Sequence, residues 1–344
     1  MSRGNFYEGV HGLRGLAAIT ILVYHFPFDS GSLKHYQESL WVFVDLFFVM
    51  SGFVNMKSLL SSQGKGQSRF LYRRCMRLLP LLLATNLAYA VVKIAGAWRL
   101  EAISISTYFP SLLESIFLTD SSPLLGISFG INIVTWSISA ELICYGLAWI
   151  LAYRGNWQSK WIGLVFISVS GILFVATQQD INTSSEFGML RALIGFGMGA
   201  VLCDLAKTGL SQGKRGQLAV IIGLMLSMGM PLIVTLNLEH WPNFIVLALL
   251  DLGWVLVVWF ITRPQHVNLP NFINLIGDSS YGIYLIHPIV IGAFSGVNSV
   301  PLKFVLVLGS TVLVSHLSYR HFELPLLQRV SARPRYSAQR FDGI

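Results

Sequence analysis

Arg14 and His25 stand eleven residues apart in LRGLAAITILVYHF, an otherwise apolar stretch from Leu13 to Phe26. On a helix that spacing is three turns plus about 20°, so the two side chains share one face about 16 Å apart along the axis. A histidine there has the chemistry of a general base, and an arginine on the same face suits an anionic partner. The bland alternative is a snorkelling arginine and a core histidine hydrogen-bonded to a neighbour.

Four further segments put polar or ionisable groups among apolar ones. WVFVDLFFVMSGF places Asp45 on one helical stripe with Phe48 and Gly52. That acid suits either the orienting of a histidine or substrate hydroxyl, or a helix-to-helix hydrogen bond. In RFLYRRCMRLLP, Arg74 and Arg77 lie one turn apart, with Arg73 beside them and Pro80 close behind. Guanidinium groups at a helix entrance bind phosphate bidentately, although membrane topology alone also accounts for basic residues here. TWSISAELICY carries Glu141 near mid-membrane with Ser137 one turn earlier on the same face. Such a glutamate must be neutral or paired with His25 or an arginine. GDSSYGIYLIHPIV puts Ser280, Tyr284 and His287 at i, i+4 and i+7, one polar stripe that either lines a cavity or binds helices together. An Asp, Lys or Arg at a span centre costs about 2.5–3.5 kcal/mol, so each such group is a functional candidate. Asp251 and His316 are also intramembrane and take no role from the sequence.

The elements that must position these groups are transmembrane helices. The chain has 344 residues, 54% hydrophobic and 12% charged, with a mean hydropathy of +0.63; soluble domains carry roughly 25% charged residues. About ten segments have the ~20 apolar residues a crossing needs. They lie at roughly 9–28, 39–59, 76–97, 129–152, 160–179, 186–205, 217–235, 243–262, 273–295 and 301–320. The first run carries Arg14 and has no small-residue cleavage site behind it, so it is expected to remain as a span. Lys65, Arg69, Arg73, Arg74, Lys160, Lys214, Arg215, Arg263 and Arg329 fall on one side, whereas the other holds little beyond Lys34, Arg99 and Lys303. The positive-inside rule therefore makes both termini cytoplasmic. The expected fold is an all-α polytopic helix bundle, with a membrane domain over 1–325 and a short basic tail over 326–344. Topology also accounts for the net charge of +8, so nucleic acid is not an expected partner. YFPSLLESIFL, in the outer connection from about Trp98 to Gly130, is either an interfacial amphipathic piece or plain loop. The GxxxG spacing in GFGMGA, Gly195 to Ala200, reads as a helix-packing surface.

Other patterns carry no chemistry. GLSQG at Gly209–Gly213 matches G-x-S-x-G but sits in a basic loop without the strand a nucleophile elbow needs. Cys75, Cys144 and Cys203 are scattered singly, without disulfide or zinc spacing, and no metal site is expected. Asn182-Thr183-Ser184 is a glycosylation sequon by pattern alone.

In their order and spacing these segments resemble the acyltransferase-three family of bacterial integral-membrane acyltransferases, which acylate sugars of surface polysaccharides, Nod factors and some antibiotics. The resemblance rests on Arg14 and His25, DLFFVMSGF, Arg74-x-x-Arg77-x-x-Pro80, the Trp136-Ser137 to Glu141 block, SYGIYLIHP, and FELP at Phe322–Pro325. It implies an acyl-CoA donor, usually acetyl-CoA, arriving from the cytoplasm, and a hydroxyl acceptor on a carbohydrate or glycolipid in the bacterial inner membrane. It also implies that His25 is essential, that Glu141 belongs to the active site, and that Arg14, Arg74 and Arg77 serve the donor. Acyl transfer to a hydroxyl needs a base, and a placed histidine contributes about 10²–10⁴-fold. On this reading Glu141 holds the His25 imidazole in its useful tautomer, and Trp136, Ser137 or Tyr284 faces the developing oxyanion. Direct attack and transfer through an acyl-histidine both fit. The competing class is a transporter or flippase, because intramembrane charges also mark substrate pathways; the paired broken helices of inverted repeats are not evident.

Overall fold

The computed structural model describes residues 4–28, 33–61, 67–100, 105–121, 131–155, 157–184, 187–206, 214–235, 242–262 and 270–332. Among them every regular element is helical, and the chain is an all-α polytopic bundle. Seven stretches of the described residues are long and apolar enough to cross a membrane; Gly216–Gly229 and Ser280–Ala293 are shorter apolar helices. Large hydrophobics face outward along several helices, among them Leu87, Ile172, Met225 and Val305, each more than 60% exposed. In water such bands would be untenable, whereas in lipid they are the ordinary surface of a spanning helix.

Helix α1 (Gly4–His25) ends where Pro27 blocks its continuation. Its final carbonyls have no helical partners, and the Gln37 amide lies within hydrogen-bond reach of those of Val23 (2.9 Å), Tyr24 (3.1 Å) and Phe26 (2.5 Å). Gln37 belongs to the short α2 (Leu33–Glu38), which leads through a 3₁₀ turn at Ser39–Val42 into α3 (Phe43–Ser61). The cap therefore fixes the helix end that carries His25.

Helix α4 (Gln67–Leu100) starts nine residues before the expected span. Its 34 residues extend about 51 Å, well past a ~30 Å hydrocarbon layer. Arg69, Arg73 and Arg74 thus ride on a helix and not on the preceding loop. YFPSLLESIFL falls in α5 (Ile105–Phe117) and its following turn, so the segment is helical and not plain loop. The Ser115 hydroxyl accepts from the Ile131 amide at 2.9 Å, ahead of α6 (Thr135–Gly155).

Next come α7 (Ser159–Ala176), α8 (Gly188–Leu205), α9 (Lys214–Thr235) and α10 (Asn243–Ile261). Helix α8 is the hub, and small residues let its backbone meet two neighbours. Gly195 and Gly199 face α3, Gly195 against the Phe48 side chain and Gly199 against the Val49 carbonyl, while Gly197 lies against Gly163 of α7. A Cβ on Gly52 of α3 would run into the Phe196 carbonyl of α8, backbone against backbone. Gly52→Val is accordingly expected to lower stability by about 1–3 kcal/mol or more, read as a fall in thermal midpoint in detergent. Gly146→Ala, on a helix face with nothing within 4 Å of the added carbon, should leave the midpoint unchanged.

The expected single span at 273–295 is two helices, α11 (Asn271–Asp278) and α12 (Ser280–Ala293), broken at Ser279. The break follows from packing: Gly277 lies against the backbone of His11, and Asp278 Oδ1 is 2.8 Å from His11 Nε2. Both contacts draw the end of α11 onto α1 and set the angle at which α12 departs. Helix α13 (Val300–Ser318) passes through a π-helical turn at Tyr319–Glu323 into α14 (Leu324–Ala332). Part of the expected tail from residue 326 is therefore helix packed on α4, with Val330 buried. Residues 333–344 and the GLSQG pattern lie outside the described residues.

Candidate active site

Helices α1, α3, α4, α6 and α12 enclose a cavity with about 830 Å³ of space not filled by atoms, its open mouth included. Arg14, Arg74, Arg77, Ser137, Glu141 and Tyr284 all line it, brought together from four helices. Three guanidinium groups against one carboxylate give the chamber a net positive lining. Arg14 lies within electrostatic reach of Arg77, Glu141 and Arg74. The Arg74 guanidinium also lies over the Phe70 ring, 5.4 Å from its centroid.

Glu141 is held by two hydroxyls. Ser51 donates to its Oε1 at 2.5 Å and Tyr145 donates to the same oxygen. The Asn55 amide in turn donates to Ser51 Oγ at 2.9 Å and to the Tyr145 phenol oxygen, Oη, at 2.8 Å. Each hydroxyl thus accepts one bond and passes its own proton to the carboxylate, which aims the acid into the cavity wall. Sequence reasoning missed Ser51, Asn55 and Tyr145. The signal was available: Ser51 and Asn55, and likewise Glu141 and Tyr145, are four residues apart on one helical face.

At the far end stand Ser137 and Tyr284. Ser137 Oγ lies 3.2 Å from the Val134 carbonyl and 2.7 Å from the Tyr284 phenol oxygen, Oη. A carbonyl only accepts: with the serine proton on Val134 the tyrosine donates to Ser137, and with it on Tyr284 the tyrosine proton is left for another acceptor. Phe47 packs edge-on to the Tyr284 ring at 5.7 Å.

Beyond Tyr284, outside the cavity lining, the rings of His25 and His287 meet with centroids 5.1 Å apart. His25 Nδ1 is 3.1 Å from His287 Nε2 and 3.0 Å from the Ile21 carbonyl, and His287 Nδ1 is 3.0 Å from the Ile283 carbonyl. The Tyr284 and His287 centroids are 6.2 Å apart. The imidazole of His25 therefore finds a second imidazole as its partner, not Glu141 as the sequence suggested. Arg14 and His25 lie at different places, one in the cavity wall and one past its end.

Asp45 and Trp136 are not part of this lining. Both oxygens of Asp45 are taken by Arg191, at 2.6 Å from Nε and 2.7 Å from Nη2. Of the two roles open to Asp45 in the sequence, the structure supplies the helix-to-helix one. The Arg191 guanidinium lies over the rings of Trp41 (4.4 Å) and Trp136 (5.5 Å) and reaches the Trp41 carbonyl at 3.2 Å. Arg191 escaped the sequence reading because no other polar residue of α8 stands at helical spacing to mark its face. Asp251, fully buried in α10, lies across from Gly195 near this pair. His316 Nδ1 lies 3.5 Å from Ser279 Oγ at the α11–α12 break. Glu323, on the π-helical turn, faces Arg77 from outside the cavity wall; such turns recur at functional sites.

Over 305 residues, 84% of this chain and 90% of the relative, the chain is 26% identical to the exopolysaccharide production protein ExoZ of Rhizobium meliloti (strain 1021). No solved structure matches it. A family model described as an acyltransferase domain matches residues 7–320. That span takes in every residue lining the cavity as well as His25 and His287, and the chain accordingly belongs to the acyltransferase-three family of membrane acyltransferases.

Proposed function

We propose that this protein moves a short acyl group, acetyl in the first instance, from cytoplasmic acyl-CoA to a hydroxyl of a carbohydrate acceptor, with His25 at the reacting centre. The observation that carries this reading is the convergence of Arg14, Arg74 and Arg77 on one cavity that leads toward Tyr284 and the histidine pair behind it. Coenzyme A is a polyanionic head on a long thin arm. The arginines would hold the head, and the arm would lie between α1 and α4 so that the thioester advances toward His25. Its Nε2 then either takes the proton of the attacking hydroxyl or carries the acyl group transiently. Trapping of radiolabelled acetyl on the protein without acceptor decides between these routes.

The carbohydrate acceptor is supported by the exopolysaccharide role in the name of the relative. The same reading puts both termini in the cytoplasm, about ten crossings in a bacterial inner membrane, and the catalytic domain over residues 1–325.

Calorimetry of acetyl-CoA with the purified protein in detergent tests the donor assignment. Saturable binding is expected, weakened about tenfold or more by Arg14→Ala, since a hydrogen bond to a charged group is worth about 1.5–3 kcal/mol. Failure of the folded wild type to bind would remove the CoA donor. Substrate flux in liposomes free of acyl-CoA would then favour the transporter reading.

A further inference from the structure

We infer that His287 is the positioning residue for His25, holding it in the one neutral tautomer that leaves Nε2 bare. The inference rests on the acyl-transfer reading for its purpose, but its geometry is independent of it. Both Nδ1 atoms face backbone carbonyls, His25 that of Ile21 and His287 that of Ile283, each at 3.0 Å. Carbonyl oxygens only accept, so each Nδ1 carries the proton. Neutral His287 then presents a lone pair at Nε2, 3.1 Å from His25 Nδ1. The Nδ1–H of His25 is shared between the Ile21 carbonyl and that lone pair, and Nε2 of His25 has no proton and a free electron pair.

An isolated imidazole would favour neither tautomer strongly, and the Ile21 carbonyl is a local contact that a small rotation of the His25 ring would break. His287 resists that rotation. It is fully buried, whereas His25 is half-buried, and its own ring is fixed by Ile283 one turn earlier on α12. Asn132 ties the same stretch of α12 to the approach of α6 by donating to the Leu285 carbonyl at 3.1 Å. In hydrolytic triads an acid sets the histidine tautomer. Among the described residues neither imidazole here is hydrogen-bonded to a carboxylate.

The difference has a chemical consequence. As the acceptor O–H bond breaks, its proton joins His25 Nε2 and its electron pair attacks the thioester carbonyl. His25 becomes an imidazolium whose Nδ1–H is shared with His287, so the positive charge spreads over two rings. When the C–S bond breaks, the departing thiolate takes the Nε2 proton, and both histidines return to their starting forms. The His287 lone pair stabilises the cation without placing a fixed negative charge beside the incoming acyl group.

The test combines solid-state ¹⁵N NMR of the histidine-labelled full chain in lipid with steady-state transfer from acetyl-CoA. A His25→Gln spectrum assigns the His25 ring. In the wild type, His25 is expected to carry its proton on Nδ1 with Nε2 bare. His287→Leu is expected to lose that preference and to lower kcat on the order of 10²–10⁴-fold, the range seen when a catalytic histidine is held in the wrong tautomer or lost, with KM for acetyl-CoA unchanged. His287→Gln offers Oε1 as acceptor in place of Nε2 and should recover most of kcat. Wild-type His25 protonated on Nε2 overturns the inference. So does a folded His287→Leu protein with wild-type kcat, or equal losses in the Leu and Gln variants while His25 keeps its tautomer in both. If instead His25→Ala retains full activity, the acyl-transfer reading falls while the tautomer assignment stands on its spectrum.

Discussion

His25→Ala is expected to abolish acyl transfer while the protein remains folded and inserted. A base contributes about 10²–10⁴-fold, and a nucleophile would contribute more, so residual activity should fall near background. The substitution also leaves His287 Nε2 without its donor, a loss of about 1–3 kcal/mol for a buried polar group. His25→Gln separates the two effects, because its amide can still donate toward His287 Nε2. Both variants should be inactive, with the alanine protein melting lower than the glutamine protein. Acetyl-CoA binding by calorimetry should persist in both, since His25 lies outside the lining of the cavity proposed for the donor. Full activity in either variant would sink the proposed mechanism.

Arg191→Met should be the most destabilising single change in the bundle. Arg191 and Asp45 are almost wholly buried and bonded through two parallel contacts of 2.6 and 2.7 Å. Removing one partner of a buried pair costs about 3–5 kcal/mol, because the other charge stays uncompensated. Arg191→Met also removes the cation that acts on Asp251 as well as on Asp45. Asp45→Asn retains a neutral acceptor for the guanidinium and keeps Asp251 as a nearby acid, so its cost should be smaller. Replacing both partners, Asp45→Leu with Arg191→Met, removes the desolvation penalty on each side and should recover much of the loss. Thermal unfolding of the four proteins in one detergent measures the order. A single-variant loss as small as that of Gly146→Ala would show that the pair does not hold α3 to α8.

Much of the cavity lining was legible in the chain because its residues are costly. An ionisable residue that shares its helical face with another polar group announces itself, as Arg14 does with His25, Arg74 with Arg77 and Glu141 with Ser137, and Arg14, Arg74, Arg77 and Glu141 all meet on one cavity. Ser137 and Tyr284 were legible as members of polar stripes at helical spacing. Ser51, Asn55 and Tyr145 were not singled out, since hydroxyls and amides are tolerated in spanning helices for many reasons. Asp45 left two roles open, and the structure supplies the helix-to-helix one; its partner Arg191, 146 residues away, gives no local pattern to pair it with.

The amino-acid order by itself determined the class of fold, the approximate course of most of the helices and the family, because hydropathy and the intramembrane charges are properties of short windows. Two things only the tertiary structure decided. The span expected at 273–295 breaks at Ser279 because Gly277 and Asp278 close onto His11, a contact across 267 residues. The partner of His25 is His287 and not Glu141 because α12 approaches the C-terminal end of α1 while α6 presents its glutamate to α3. Periodicity reports which face of a helix a residue occupies; which helix that face meets depends on packing among all of them.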